Sequence, residues 1–147
     1  MKTLIVYDSV YGNTEKIAQA IGEAIGGQVL QVGKVSAADL QGLALLIVGS
    51  PTRGGRPTEG LQAWLDQLPA TALQGIRVAT FDTRSTVKFV RIFGYAATRI
   101  ADSLTQKGGA LLAPPAAFFV KGTKGPLKEG ELERAAAWAR DLAASIK

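Results

Sequence analysis

The stretch Leu4-Ile5-Val6-Tyr7-Asp8-Ser9-Val10-Tyr11-Gly12-Asn13-Thr14 decides the fold. A short apolar run leads into a loop of hydroxyl and amide side chains, and a helical period follows at once. Ile17, Ile21, Ala24 and Ile25 share one helix face, ended by Gly26-Gly27. The unit therefore reads as strand, tight loop, helix N-terminus. Such a loop offers free backbone N–H groups, hydroxyls and the positive end of a helix dipole, which suit a dianionic phosphate monoester. A Ser/Asn/Thr-rich loop before a helix is equally well read as a helix cap, and at this point both readings stand.

Working outward, apolar runs of strand length recur at Leu4–Tyr7, Val29–Val35, Leu43–Val48, Ile76–Phe81 and Ala110–Val120. The first, third and fourth are nearly continuous, as expected of strands covered on both faces. Helical periods alternate with them. Leu61, Trp64, Leu65 and Leu68 form one, with Thr58 as N-cap and Pro69 as stop. Phe93, Ala97, Ile100 and Leu104 form another, ended by Gly108-Gly109. Leu132, Ala135, Ala136, Ala139, Leu142, Ala143 and Ile146 form the last. Trp64, Phe93 and Trp138 fall on these periods and read as core. Pro114-Pro115 marks a bend or an edge strand, and 122–128 reads as a loop.

Alternating strands and helices imply an α/β fold with a parallel sheet and helices on both faces. Right-handed crossovers restrict the topology. The expectation is a three-layer, doubly wound, five-stranded parallel sheet in the order 2-1-3-4-5, formed as a single domain over residues 1–147. No internal repeat, linker or low-complexity segment interrupts it.

Composition excludes several chemistries. Apolar residues make up 47% of 147 residues, and there is no Cys and no His. Thiolate nucleophiles, disulfides, Cys/His zinc sites and Ser-His-Asp triads are excluded. No metal site and no catalytic side chain is identified, so demanding chemistry would fall to a bound cofactor. The net charge of +5 favours acidic partners or anionic ligands. Between Asp82 and Asp102 lie Arg84, Lys88, Arg91 and Arg99 with no acid among them, a run that reads as a solvated helix face. The uncharged runs Leu40–Thr52 and Gly108–Val120 are too short for a membrane-spanning helix. No secretory signal is visible, so a cytoplasmic location is expected. Basic residues are not interleaved with a stacking platform, which argues against nucleic acid.

In a doubly wound sheet, ligands bind beyond the carboxyl ends of the strands at the switch point. Three polar loops emerge there: Ser9 to Thr14, Gly49 to Thr58, and Asp82 to Thr86. Neither G-x-G-x-x-G nor G-x-x-x-x-G-K-[ST] follows the first strand, so the site reads as built for one terminal phosphate. Gly54-Gly55 lets the main chain lie against a flat ligand, although alone it reads more simply as a turn.

With these residues in place the chain resembles the flavodoxin family, over essentially its whole length and in the short form. Tyr7 to Ala18 is similar to the phosphate loop and first helix of flavodoxin domains, particularly those of flavodiiron proteins. Ser50 to Gly55 and Asp82-Thr83-Arg84 match by position. Flavodoxin itself is the standard example of this strand order with FMN at the switch point, so that placement comes with the resemblance. The resemblance implies that Ser9, Tyr11, Gly12, Asn13 and Thr14 hold an FMN phosphate. Ser50, Pro51, Thr52, Arg53, Gly54 and Gly55 would line one side of the isoalloxazine ring, and Asp82, Thr83 and Arg84 the other.

The chain departs from the family in two respects. Electron-carrying flavodoxins are typically acidic, and they sandwich the ring between aromatic side chains. This chain is basic, and no aromatic lies in the second loop or in Asp82 to Thr86; Tyr11, Phe89 and Tyr95 are nearest in sequence. Guanidinium groups of Arg53, Arg56 or Arg84 beside the ring would favour an anionic reduced flavin and make a less reducing carrier. The function implied is that of an FMN-binding one-electron carrier, loaded by a separate reductase and docking with acidic redox partners. Two alternatives remain. One is a flavin-dependent oxidoreductase acting on a quinone or protoporphyrinogen-type substrate, with Arg84, Lys88 and Arg91 meeting substrate carboxylates. The other is an FMN-free interaction domain on the same fold.

Overall fold

The structure is a computed structural model that describes residues 1–86 and 95–146. Lys88, Phe89, Arg91 and Phe93, singled out in the sequence, lie outside the described residues. The elements run β1 (Thr3–Tyr7), α1 (Asn13–Ile25), β2 (Gln28–Gln31), β3 (Leu45–Pro51), α2 (Glu59–Gln67), β4 (Arg77–Ser85), α3 (Ala96–Gln106), β5 (Ala110–Leu111), β6 (Ala116–Val120) and α4 (Glu131–Ala144).

The sheet is parallel, in the order β2-β1-β3-β4-β5, with β6 also paired to β4. Its central strands are continuous apolar runs because each face has its own core. Leu4, Val6, Leu46, Val48 and Val78 pack with Leu61 and Leu65 of α2 and Ile100 and Leu104 of α3. The alternate residues Ile5, Tyr7, Leu45, Ile47 and Phe81 pack with Ile17 and Ile21 of α1 and Ala135 and Ala139 of α4. Strand alternation thus divides one apolar run between two helical layers. Trp64 edges the first core and Trp138 the second. Trp138 also joins Phe81 and Phe118 in a group of edge-to-face rings with centroids 5.9–6.2 Å apart.

Gly49 explains how β3 meets β4. It pairs in register with Phe81, and a Cβ at Gly49 would lie 2.1 Å from the Phe81 ring. Only glycine leaves room for that ring on the α1–α4 side.

Four expected boundaries differ. The third strand runs Leu45–Pro51 rather than Leu43–Val48, because β4 offers partners as far as Thr83, so Gly49, Ser50 and Pro51 are strand residues and not loop. The second strand ends at Gln31 rather than Val35, because β1 offers partners only from Leu4 to Tyr7. A single 3₁₀ turn over Val32–Lys34 follows, which still lets Val32 and Val35 pack on the core. The fourth strand continues to Ser85, so Asp82, Thr83 and Arg84 are strand residues and not a loop. The reason is pairing on both sides: β3 reaches Thr83 from one side and β6 runs along Phe81 to Ser85 from the other. The last apolar run divides into β5 and β6, interrupted at Pro114-Pro115, which have no N–H to give to a ladder. These two pieces share one edge position, so the sheet has six strands in the five-position order. Among the described residues no helix is long and apolar enough to cross a membrane.

Candidate functional site

The first loop is built around Asp8. Its Oδ1 accepts from the Ser9 N–H at 2.9 Å, and its Oδ2 accepts from the Thr58 hydroxyl of the second loop. Ser9 Oγ then accepts from the Gly12 N–H at 3.0 Å, which folds the loop back on itself. Gly12 occupies the N-cap position of α1 with φ +91°, a conformation that favours glycine, and no side chain caps the helix. The first intrahelical bond is Lys16 N–H to Gly12 O. The backbone N–H groups of Asn13, Thr14 and Glu15 therefore have no acceptor among the described residues, at the positive end of the helix. The capping reading of this loop fails on that point. Its Ser9 hydroxyl shapes the loop and leaves the helix end open.

Two side chains tie this helix end to neighbouring strands. Asn13 Nδ2 donates to Lys124 O at 3.0 Å, in the loop after β6. Thr14 and Thr83 hydroxyls lie 2.7 Å apart, both buried. A pair of hydroxyls has two protons and spends one on their mutual bond, so one remains to donate elsewhere.

The second loop is closed from inside by Ser50. Its buried hydroxyl donates to Pro51 O at 2.9 Å and accepts from Thr58 N–H at 3.0 Å. Thr58 caps α2 by accepting from Leu61 N–H. Thr52 is held on both sides: its N–H donates to Thr83 O at 2.9 Å, and its hydroxyl accepts from Ala96 N–H at 3.0 Å. Arg53 and Arg56 exchange backbone bonds of 2.8 and 3.0 Å around Gly54-Gly55. Both glycines have positive φ, +56° and +79°, the requirement of a two-residue primed turn. Gly55 O accepts from Arg99 Nε at 2.9 Å.

The end of β4 sorts its polar residues by strand alternation. Thr83 points to α1. Asp82 points to α3, where its carboxylate accepts from Ala97 N–H at 2.9 Å. The same fully buried carboxylate takes Arg84 in two-pronged fashion, Nε and a terminal nitrogen each at 2.7 Å. The Arg84 guanidinium also stacks on Tyr95, 3.4 Å from the ring centroid. Burial, then the Glu15 carboxylate, push the Tyr7 phenol above its ordinary value.

These pieces surround a cavity of ≈ 310 Å³ at the carboxyl end of the sheet. Ser9, Tyr11, Asn13 and Thr14 line its first-loop wall. Pro51, Thr52, Arg53 and Gly54 line the second wall, and Thr83 and Arg84 the third. Gly12, Ser50, Gly55 and Asp82 do not line it: Ser50, Gly55 and Asp82 are buried behind it, shaping the walls. Val10, Ser85, Val120 and Thr123 also line the cavity and were not among the site residues read from sequence. Val120 and Thr123 arrive because β6 pairs with the end of β4 and so delivers a fourth loop to the same edge. The division of the last apolar run at Pro114-Pro115 was the signal for it. Tyr11, half-exposed, is the aromatic ring on the wall, with Lys124 Nζ 5.8 Å from its centroid.

The flavodoxin family model matches residues 5–138. No curated protein matches the sequence. The fold is similar to that of a flavodoxin from the domain Archaea, at 24% identity over 99% of each chain with a TM-score of 0.83. Oxidised flavodoxin 1 from Bacillus cereus is similar at 19% identity over the whole of both chains, with a TM-score of 0.83. The flavodiiron protein from Giardia intestinalis is similar over 97% of this chain and 35% of its own, at 19% identity and a TM-score of 0.76. The family match over most of the length, on a sheet of this order with an open helix end at its switch point, means that the chain belongs to the flavodoxin family.

Proposed function

We propose that this protein binds FMN and serves as a one-electron carrier. The observation that carries the reading is the uncapped N-terminus of α1 opening on a cavity whose wall also holds the Thr14–Thr83 hydroxyl pair. Unpaired N–H groups, a helix dipole and a spare hydroxyl proton together match a phosphate monoester. Asn13, Thr14 and Ser9 would hold the phosphate. Pro51, Thr52, Arg53 and Gly54 would line one side of the ring and Arg84 the other, while the Gly54 main chain, shaped by the turn with Gly55 behind it, would meet its N5 edge. FMN supplies one-electron chemistry when bound. The residues of this chain have the task of binding, orienting and limiting water, and none is needed as an acid or base.

Two features of the walls bear on affinity. Tyr95, an aromatic candidate for ring stacking, is instead covered by Arg84. Tyr11 is left as the aromatic on the cavity wall among the described residues. The reading is tested by titrating the protein with FMN and following flavin fluorescence. One-to-one quenching supports it. No binding at tens of micromolar, about the weak end of useful cofactor affinity, removes it. A separate reductase would deliver electrons, and acidic redox proteins would accept or supply them.

A further inference from the structure

On the far side of the Gly54-Gly55 turn from the cavity lies a second, open groove of ≈ 640 Å³. Arg53, Arg56 and Arg99 line it, and Arg53 lines the cavity as well. Arg53 and Arg56 form an antiparallel bridge, so their side chains leave the same face of the turn. Like charges placed opposite one another repel. Arg99 reaches the groove from α3 and is steadied through Nε on Gly55 O, which leaves its terminal nitrogens for another acceptor. All three side chains are exposed, and none makes an ion pair among the described residues. Two acids, Asp8 and Glu59, also line the groove, so the three guanidiniums leave it with a net positive charge. Asp8 is turned to Ser9 N–H and to the Thr58 hydroxyl and makes no ion pair with an arginine among the described residues. Glu59 is exposed in the first turn of α2 and pairs with none of the three.

We propose that this groove is the docking site for a carboxylate-bearing surface of the redox protein that exchanges electrons with this chain. The inference rests on the carrier reading and adds the place and chemistry of the partner. A bound carboxylate would relieve the Arg53–Arg56 repulsion and engage the free face of Arg99. A protein surface is the occupant that fits, because the three guanidinium side chains are exposed and stand on two separate elements, the turn and α3, so they spread positive charge over a face of the molecule. Charges so placed steer encounter and set orientation. They would hold the partner against the turn that walls the candidate FMN cavity.

The test uses a fluorescently labelled deca-glutamate peptide as the acidic surface, with anisotropy read at low ionic strength. Wild type is compared with Arg56→Glu and Arg140→Glu. Each substitution changes net charge equally, but Arg140 lies elsewhere, on α4 beside Ala136 and Glu133. The Arg56 side chain is exposed and makes no hydrogen bond among the described residues, so folding is retained, which a melting curve checks. The expected result is at least about tenfold weaker binding for Arg56→Glu and less than about twofold for Arg140→Glu. Equal weakening by both variants overturns the site, since net charge alone would then explain binding. Absence of peptide binding overturns it too, and so does displacement of the peptide by free citrate at matched carboxylate concentration. FMN titration of the same proteins separates the two readings. Arg56→Glu should take FMN as wild type does, whereas a wild type that binds peptide but no FMN refutes the carrier and leaves the groove as a docking site for an acidic surface.

Discussion

The open end of α1 makes a quantitative claim about what the cofactor phosphate contributes. Riboflavin differs from FMN only in lacking it, so the ratio of the two affinities measures that end of the site. Asn13, Thr14 and Glu15 present N–H groups without acceptors among the described residues, and the Thr14–Thr83 pair has one spare proton. A hydrogen bond to a charged group is worth about 1.5–3 kcal/mol. Two such bonds at the low end, after the phosphate has been taken from water, give about 3 kcal/mol, or roughly a hundredfold in affinity. Riboflavin should therefore bind at least about a hundredfold more weakly than FMN in parallel fluorescence titrations. The ratio should also shrink as pH falls through about 6, where a phosphate monoester loses its second charge. Riboflavin binding within about threefold of FMN would refute the assignment of this helix end to phosphate, whatever the ring does.

Other consequences follow from particular contacts. Arg84→Gln leaves the fully buried Asp82 carboxylate with Ala97 N–H as its one remaining partner among the described residues, and should cost about 3 kcal/mol. It should lower the melting temperature by about 6–12 °C in a chain of this size. An unchanged melting curve would mean the pair is replaceable. Gly49→Ala pushes a methyl into the Phe81 ring, and urea titration should show a loss of about 1–3 kcal/mol or failure to fold. Glu131 is held below its ordinary value of 4.5 by hydrogen bonds from Arg134 and then from Phe119 N–H. A carboxyl with a lowered folded value is protonated first in the unfolded chain. Its stabilising contribution is thus complete above about pH 4.5 and lost as pH falls through the folded value. Glu131→Gln should flatten that acid limb in pH-dependent melting, and an acid limb of wild-type slope would show that other carboxylates dominate.

Much of this architecture was legible because buried strands and helices leave different periods. The uninterrupted apolar run Leu4–Tyr7 marks a strand covered on both faces, whereas Ile17, Ile21 and Ile25 mark one face of a helix. The ends of β2 and β4 were not legible, because each depends on how far a neighbour runs. Asp82 to Ser85 looks like a polar loop in the sequence and becomes strand through pairing with β3 and β6. The same limit applies at the site. The sequence offers Asp82 for the wall, and in the structure its carboxylate is buried and holds Arg84. Ser50 and Gly55 likewise shape the second loop from within. Side chains that make a wall and side chains that brace it share the same residue types, and sequence spacing does not separate them. Loop chemistry was more readable where backbone conformation dictates it, as at Gly12 and Gly54-Gly55, whose positive φ values permit little else.

The charge around the cavity looks different once its partners are counted. The sequence offers Arg53, Arg56 and Arg84 as cations able to favour an anionic reduced flavin. In the structure they have three different situations. Arg84 lines the cavity but is locked at 2.7 Å to the buried Asp82 carboxylate, so at the ring's distance the pair acts mainly as a dipole. Arg56 lines the neighbouring groove and not the cavity. Arg53 lines the cavity and carries no ion pair among the described residues. The expectation of a less reducing carrier therefore rests on Arg53 rather than on Arg84. That same side chain also faces the groove proposed for an acidic partner. A carboxylate docked there would offset the charge that favours the reduced flavin, so docking itself would make the carrier a better electron donor.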